Sequence, residues 1–224
     1  MSFHTTLGAV LFALALAQSW TQTFDVDTKD LVTTGESRYF VLKPGHQLTF
    51  EGRESGKPGQ LIVTVLNETM TVGGVETRVV EERESKGGEL VEVSRNYFAM
   101  HPRTGDIYYF GEDVDMYKKG KVVGHEGGWR HGSNGAHFGL MMPGAPTVGM
   151  RFYQELAKGI AMDRAEVVSI SDTAKTPAGA FEGCLRTKET TPLEPFAHEY
   201  KVYAPDIGLI RDGDLELVSH RYIK

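Results

Sequence analysis

Short apolar stretches closed off by glycine-containing turns limit what this chain can fold into. Gln60-Leu-Ile-Val-Thr-Val-Leu66 is apolar on both faces, as a strand buried on both sides would be. Val75, Thr77 and Val79 alternate with Glu76 and Arg78, the period-two pattern of a half-buried strand. Glu89–Ser94, Asp106–Phe110, Ala165–Ile170, His198–Tyr203 and Asp214–Val218 continue the series. Turn signals divide them at Gly73-Gly74, Lys86-Gly87-Gly88, Arg103–Asp106, Lys119-Gly120 and Asp212-Gly213. Strands this short, joined this tightly, predict an antiparallel meander rather than βαβ units, whose crossovers need a dozen or more residues. Residues 150–157 fit a helix or a strand; Gly149 and Gly159 leave so little length that a strand is predicted. The expected fold is therefore mainly β, a single antiparallel, strongly curved sheet or an open barrel or half-barrel. No repeat or linker breaks the chain, so one β domain is expected over 38–224, after an irregular, poorly ordered lead-in at 18–37.

Leu7 to Leu16 is an almost unbroken apolar run, followed by Ala15-Leu16-Ala17 and then polar Gln18-Ser19. This is the layout of a secretory signal peptide over 1–17, although its n-region carries His4 and no Lys or Arg. The run is shorter than the roughly 20 apolar residues a membrane helix needs. Export to the periplasm or medium is the expected localisation, with cleavage after Ala17. No second long apolar run exists, so no membrane span is expected in the mature chain.

The leader contains no Asp, Glu, Lys or Arg, so the net charge of −6 belongs to the mature chain. That acidic balance argues against nucleic-acid binding, which relies on clustered basic residues. Cys184 is the only cysteine, which excludes an internal disulfide; its ordinary role is that of a small buried hydrophobe.

His101, His125, His131 and His137 gather in one segment with Glu112-Asp113-Val114-Asp115 and Glu126. Residues 124–139 hold six glycines, suited to a backbone that turns sharply or approaches a ligand closely. Imidazole and carboxylate together are the donor set for zinc, copper, iron or manganese. His125, His131 and His137 would share a face of extended backbone, as would Asp113 and Asp115. The candidate metal ligands are thus His125, His131 and His137, completed by Glu112, Asp113 or Asp115. The alternative is a set of solvated loop histidines. His125-Glu126 lacks the helical spacing of a metalloprotease motif. A calcium loop begun at Asp113 would place Lys118 and Gly124 where Gly and Glu are required, so calcium fits less well.

Ser133 lies outside any nucleophile-elbow pattern, and the glycines match no phosphate-binding loop. Asn67-Glu68-Thr69 fits the N-glycosylation triplet. Trp129, Tyr108, Tyr109 and Phe110 could line a sugar or lipid pocket or simply fill the core.

Asn96-Tyr97-Phe98, Thr104–Val114, Leu140-Met-Met-Pro-Gly144, Thr191-Pro-Leu-Glu-Pro195 and Tyr203-Ala-Pro-Asp-Ile-Gly-Leu209 resemble a group of uncharacterised secreted bacterial proteins. The resemblance covers most of 38–218 and brings no assigned activity, so no functional residue is carried over. Asp206 stands where that pattern has glycine. The Tyr203–Leu209 ending is also similar to that of envelope proteins with a curved half-barrel, such as lipoprotein carriers; this implies a fold, not a function. Three functions are expected in order. The first is an exported binding module for a divalent metal in the 101–137 segment. Next comes a metal-dependent extracytoplasmic enzyme using the same ligands. Last is a lipid or hydrophobic-ligand carrier without metal. The expected partner is thus a small ligand or a metal ion.

Overall fold

The computed structural model describes residues 19–224. The expected signal peptide and its cleavage after Ala17 lie outside the described residues. β1 (Glu36–Ser37) and β2 (Phe40–Val41) make a small hairpin. β3 (His46–Glu54), β4 (Lys57–Val72), β5 (Val75–Lys86), β6 (Glu89–Met100) and β7 (Ile107–Lys118) then form an antiparallel meander. β8 (Lys121–Gly124), β9 (Trp129–Arg130) and β10 (His137–Met142) all pair with β7. β11 (Arg151–Tyr153) and β12 (Glu155–Leu156) are short, and residues 150–157 are indeed extended. A second meander follows, made of β13 (Arg164–Thr176), β14 (Gly179–Thr191), β15 (Glu194–Ala204), β16 (Gly208–Asp212) and β17 (Leu215–Tyr222). The one helical element among the described residues is a 3-10 turn at Thr28–Asp30, with Asp27 accepting from the Lys29 amide at 3.0 Å.

The turns explain the meander. Lys119 and Gly120 have φ of 53° and 72°, the left-handed pair that a two-residue hairpin needs to match strand twist. Asp206 takes φ 63° in the β15–β16 connection, so the position where glycine was expected does adopt the glycine-favouring conformation. Aspartate tolerates it better than a β-branched residue would.

Pairing of β17 with β3 joins the two meanders into one sheet ordered β11-β13-β14-β15-β16-β17-β3-β4-β5-β6-β7-β10-β12. Its two ends, β11 and β12, are separated in sequence only by Gln154. The chain therefore steps from one end of the sheet to the other within a residue. Gly139 on β10 admits this crossing, because a Cβ there would fall 2.2 Å from the Gln154 carbonyl oxygen. The free side of β11 is taken by Thr21, whose amide donates to Arg151 O at 3.0 Å and whose carbonyl accepts from Tyr153 N at 2.9 Å.

The lead-in is irregular before Glu36 but is tied down along its length. Trp20 lies under the Arg164 guanidinium at 4.4 Å, and Phe24 packs edge-on to Tyr108 with centroids 6.0 Å apart. Val32 and Met100 exchange backbone hydrogen bonds of 2.8 and 2.9 Å.

Two apolar clusters hold the sheet. The larger gathers Val65, Val80, Tyr97, Phe110, Met142, Phe152 and their neighbours; the other is built on Leu48, Phe50, Leu61, Ile210 and Leu217. β14 and β15 serve both through strand alternation, with Leu185 and Tyr203 in the first and Cys184, Val202 and Ala204 in the second. Cys184 is fully buried, in keeping with a packing role. Among the described residues no helix is long and apolar enough to cross a membrane.

Candidate functional site

β7 carries the acidic run of the histidine-rich segment, and a bulge decides which way its side chains point. Asn96 pairs with Glu112 and Phe98 with Tyr109, so Phe110 and Gly111 together oppose Tyr97. The extra residue shifts the alternation and brings Tyr109 and Glu112 to one face. Gly111 permits it, with φ 138° and the Trp129 carbonyl oxygen 2.3 Å from where a Cβ would stand.

Asp113 and Asp115 do share a face, as even spacing requires, and Glu112 lies on the other. Asp113 accepts from Tyr97 Oη at 2.7 Å and from Arg130 Nε at 3.0 Å. Burial would push its pKa up, but Arg130 and Tyr97 outweigh burial and hold it below the usual range. Asp115 pairs with His125 Nδ1 at 2.9 Å, and His125 is largely solvent-exposed. His131 packs edge-on to Phe110 and Phe138, and its Nδ1 accepts from the Phe138 amide at 3.3 Å. Burial, then the neighbouring His137, lowers the His131 pKa. His137 is exposed at the start of β10, its ring centroid 6.1 Å from that of His131. His101 lies apart, accepting from the Thr104 amide at 3.1 Å. The structure thus brings together His131 with His137 and His125 with Asp115, and it sets Glu112 apart from both pairs. Among the described residues no group of three or more His, Cys, Asp or Glu converges as a metal-ligand set.

The face to which Glu112 belongs holds a different constellation. Leu48, Val63 and Glu82 are cross-strand partners on β3, β4 and β5, and all three line one cavity. This cavity measures about 80 Å³, room for several waters. Phe40, Val65, Val80, Phe98, Met141 and Leu209 supply further apolar wall, while Glu82, Lys201, Asp212, His46 and Tyr203 supply the polar groups. Lys201 Nζ lies 3.3 Å from Glu189 Oε2 and 3.4 Å from Asp212 Oδ1. Gln154, the residue joining the two sheet ends, donates to Glu189 Oε1 at 3.1 Å.

Charge is crowded here. Burial, partly countered by Lys201, pushes Glu82 up to about 7. Glu112 rises to about 8, through burial first and Glu82 second. Glu155 is pushed well up by burial and then by Glu112. Burial opposes the charge on Lys201, yet Asp212 and Glu189 more than compensate and keep it firmly protonated. The Glu189, Lys201 and Asp212 side chains retain 12%, 21% and 18% of their exposure, so water still reaches them. His46 is 6% exposed; its Nε2 sits 3.0 Å from the Ile207 carbonyl, and its Nδ1 has no partner. A carbonyl only accepts, so Nε2 carries the hydrogen and Nδ1 is an acceptor without a donor.

Sequence reasoning passed over Glu82, Glu155, Glu189, Lys201, Asp212 and His46. A signal was present: Glu82 follows Val80, and Lys201 precedes Tyr203, at the two-residue spacing that puts each on its neighbour's face. No protein-family model, no curated protein and no solved structure matches this chain.

Proposed function

We propose that the protein is an exported, single-domain carrier whose sheet curves strongly, as an open half-barrel, around a cavity for a small hydrophobic ligand. The supporting observation is the cavity: apolar side chains of β2 to β6 on one side, and a charged group of Glu82, Lys201 and Asp212 opening onto the same space. Small-molecule sites commonly combine apolar walls with a few convergent polar groups, and at about 80 Å³ this one would have to widen to admit a ligand of the usual size. β5 and β15 stand far apart in the strand order yet both line this space, which supports the curved arrangement. The test is titration of N-phenyl-1-naphthylamine into the purified protein, followed by its emission. Saturable binding is expected, and Val65→Trp, which fills the cavity, should abolish it. A wild-type protein giving no enhancement at micromolar probe overturns the reading.

A divalent transition metal in the 101–137 segment is a second reading, favoured by the closeness of His131 and His137. A shared ion would need a nitrogen of each ring at about 2 Å. Calorimetry with zinc, copper, iron and manganese tests it, and no heat at micromolar metal removes it.

A further inference from the structure

The polar part of the cavity sets the acceptors Glu82, Asp212 and His46 Nδ1 against two donors, the Lys201 ammonium and the Tyr203 hydroxyl. Lys201, the one ammonium in its wall, is engaged by Glu189 and Asp212. Glu82, two strands from β3 on the same wall, has neither a hydrogen bond nor an ion pair among the described residues. His46 Nδ1 is a second acceptor in that wall with nothing donating to it. His46 Nδ1 is a buried acceptor without a donor, a costly state that a donating ligand relieves, while Glu82 is half-buried and open to a new ion pair. The three carboxylates Glu82, Glu189 and Asp212 surround a single lysine, so the local balance is negative and favours a cation.

Resting on the carrier reading, we infer that the ligand is an amphiphile with an ammonium head, its N–H groups against the Glu82 carboxylate and its alkyl body along Leu48, Val63, Val65 and Val80. A carboxylate-headed lipid would meet Glu82 and Asp212 as like charges and is disfavoured. A neutral alcohol of equal length would keep the apolar contacts and lose the charge-assisted bond.

Calorimetry with decylamine, decanol and decanoate at one pH separates the two levels of the argument. The amine should bind about tenfold or more tighter than the alcohol, as a charge-assisted hydrogen bond implies, and decanoate should bind weakest. Failure of all three to bind overturns the carrier reading itself. Binding of the alcohol with no preference for the amine overturns only the ammonium head. E82Q should bring the amine close to the alcohol, and retention of the full preference refutes the role of Glu82.

A measurement on the wild-type protein stands if E82Q fails to fold. The titratable groups facing Glu82 are Glu92 on β6, Tyr109 and Glu112 on β7, Glu189 on β14, Lys201 and Tyr203 on β15 and Asp212 on β16, and His46 on β3 shares the cavity. With Glu82 near 7, raising the pH from about 6 to about 8 ionises it while the alkylammonium stays charged. Amine affinity should then rise about tenfold, the ratio of ionised Glu82 at the two pH values, while decanol stays level. An amine affinity that stays flat or falls over this range overturns the proposal.

Discussion

Lys201→Met removes the ammonium of the cavity cluster and keeps most of the side chain's apolar stem, so it isolates charge from packing. The ammonium lies 3.3 Å from Glu189 and 3.4 Å from Asp212. At an effective dielectric of about 20, each contact is worth about 5 kcal/mol before desolvation. Much of that is offset by the cost of burying the lysine, which the variant no longer bears. Breaking a buried pair by deleting one partner leaves a net loss of about 3 kcal/mol, a large share of a domain's usual 5–15 kcal/mol. The sign with pH follows from linkage. Lys201 has a raised folded-state pKa, so its contribution is complete below the unfolded lysine value of about 10.4 and is lost as pH rises through the folded value. It also holds down Glu82 and Glu155, which rise further without it. The variant's loss should therefore be greatest at pH about 8 and should shrink toward pH about 5, where Glu82 and Glu155 are protonated and Lys201 is left with Glu189 and Asp212 alone. Urea unfolding followed by circular dichroism at both pH values measures it. A loss below about 1 kcal/mol, or one equal at both pH values, would refute the assignment of Lys201 as the counter-charge of this cavity.

Glu82→Gln should stabilise the protein at pH 8 and leave it unchanged near pH 4; its pKa, raised from 4.5 to about 7, costs stability only above the unfolded value, by at most about 3 kcal/mol. Thermal unfolding at the two pH values checks this, and a variant less stable at pH 8 contradicts it. Gly139→Ala should cost about 2–3 kcal/mol or prevent folding, because its Cβ would meet backbone carbonyls of Gln154 and Tyr153 that cannot move like a side chain. An unchanged denaturation midpoint would show that the crossing at Gln154 has slack. Phe196→Ser should shift stability by less than about 0.5 kcal/mol, since this side chain is 98% exposed.

The strands were legible because their apolar period-two runs survive in the sequence, and glycine pairs marked most of their ends. Their lengths were not. β6 reaches Met100, β7 reaches Lys118 and β15 begins at Glu194, all beyond the apolar stretches that revealed them. Backbone ladders continue through Glu112, Asp113 and Glu194 because pairing uses main-chain groups whatever the side chain. The same charges that appeared to end strands include those lining the cavity. Asp113 and Asp115 were correctly placed on one face. Glu112, next to Asp113, alternates to the other face with or without a bulge; what the bulge at Phe110–Gly111 adds, unmarked beyond one glycine among 26, is the placing of Glu112 beside Tyr109. The convergence of Glu82 with Lys201 depends on the pairing of β17 with β3, a contact between distant parts of the chain that no local pattern encodes.

That pairing also orders events in time. Arg221 meets Gln47 across 174 positions, so the strand that joins the two meanders is the last of the described strands to be made. Until it arrives, β3 has an open edge and the C-terminal meander has nothing to dock on. Loop closure over such a distance must precede the contacts that reward it, which makes folding slow and late. Until β17 has emerged the sheet stays unassembled and the chain threadable, which would suit the export proposed above.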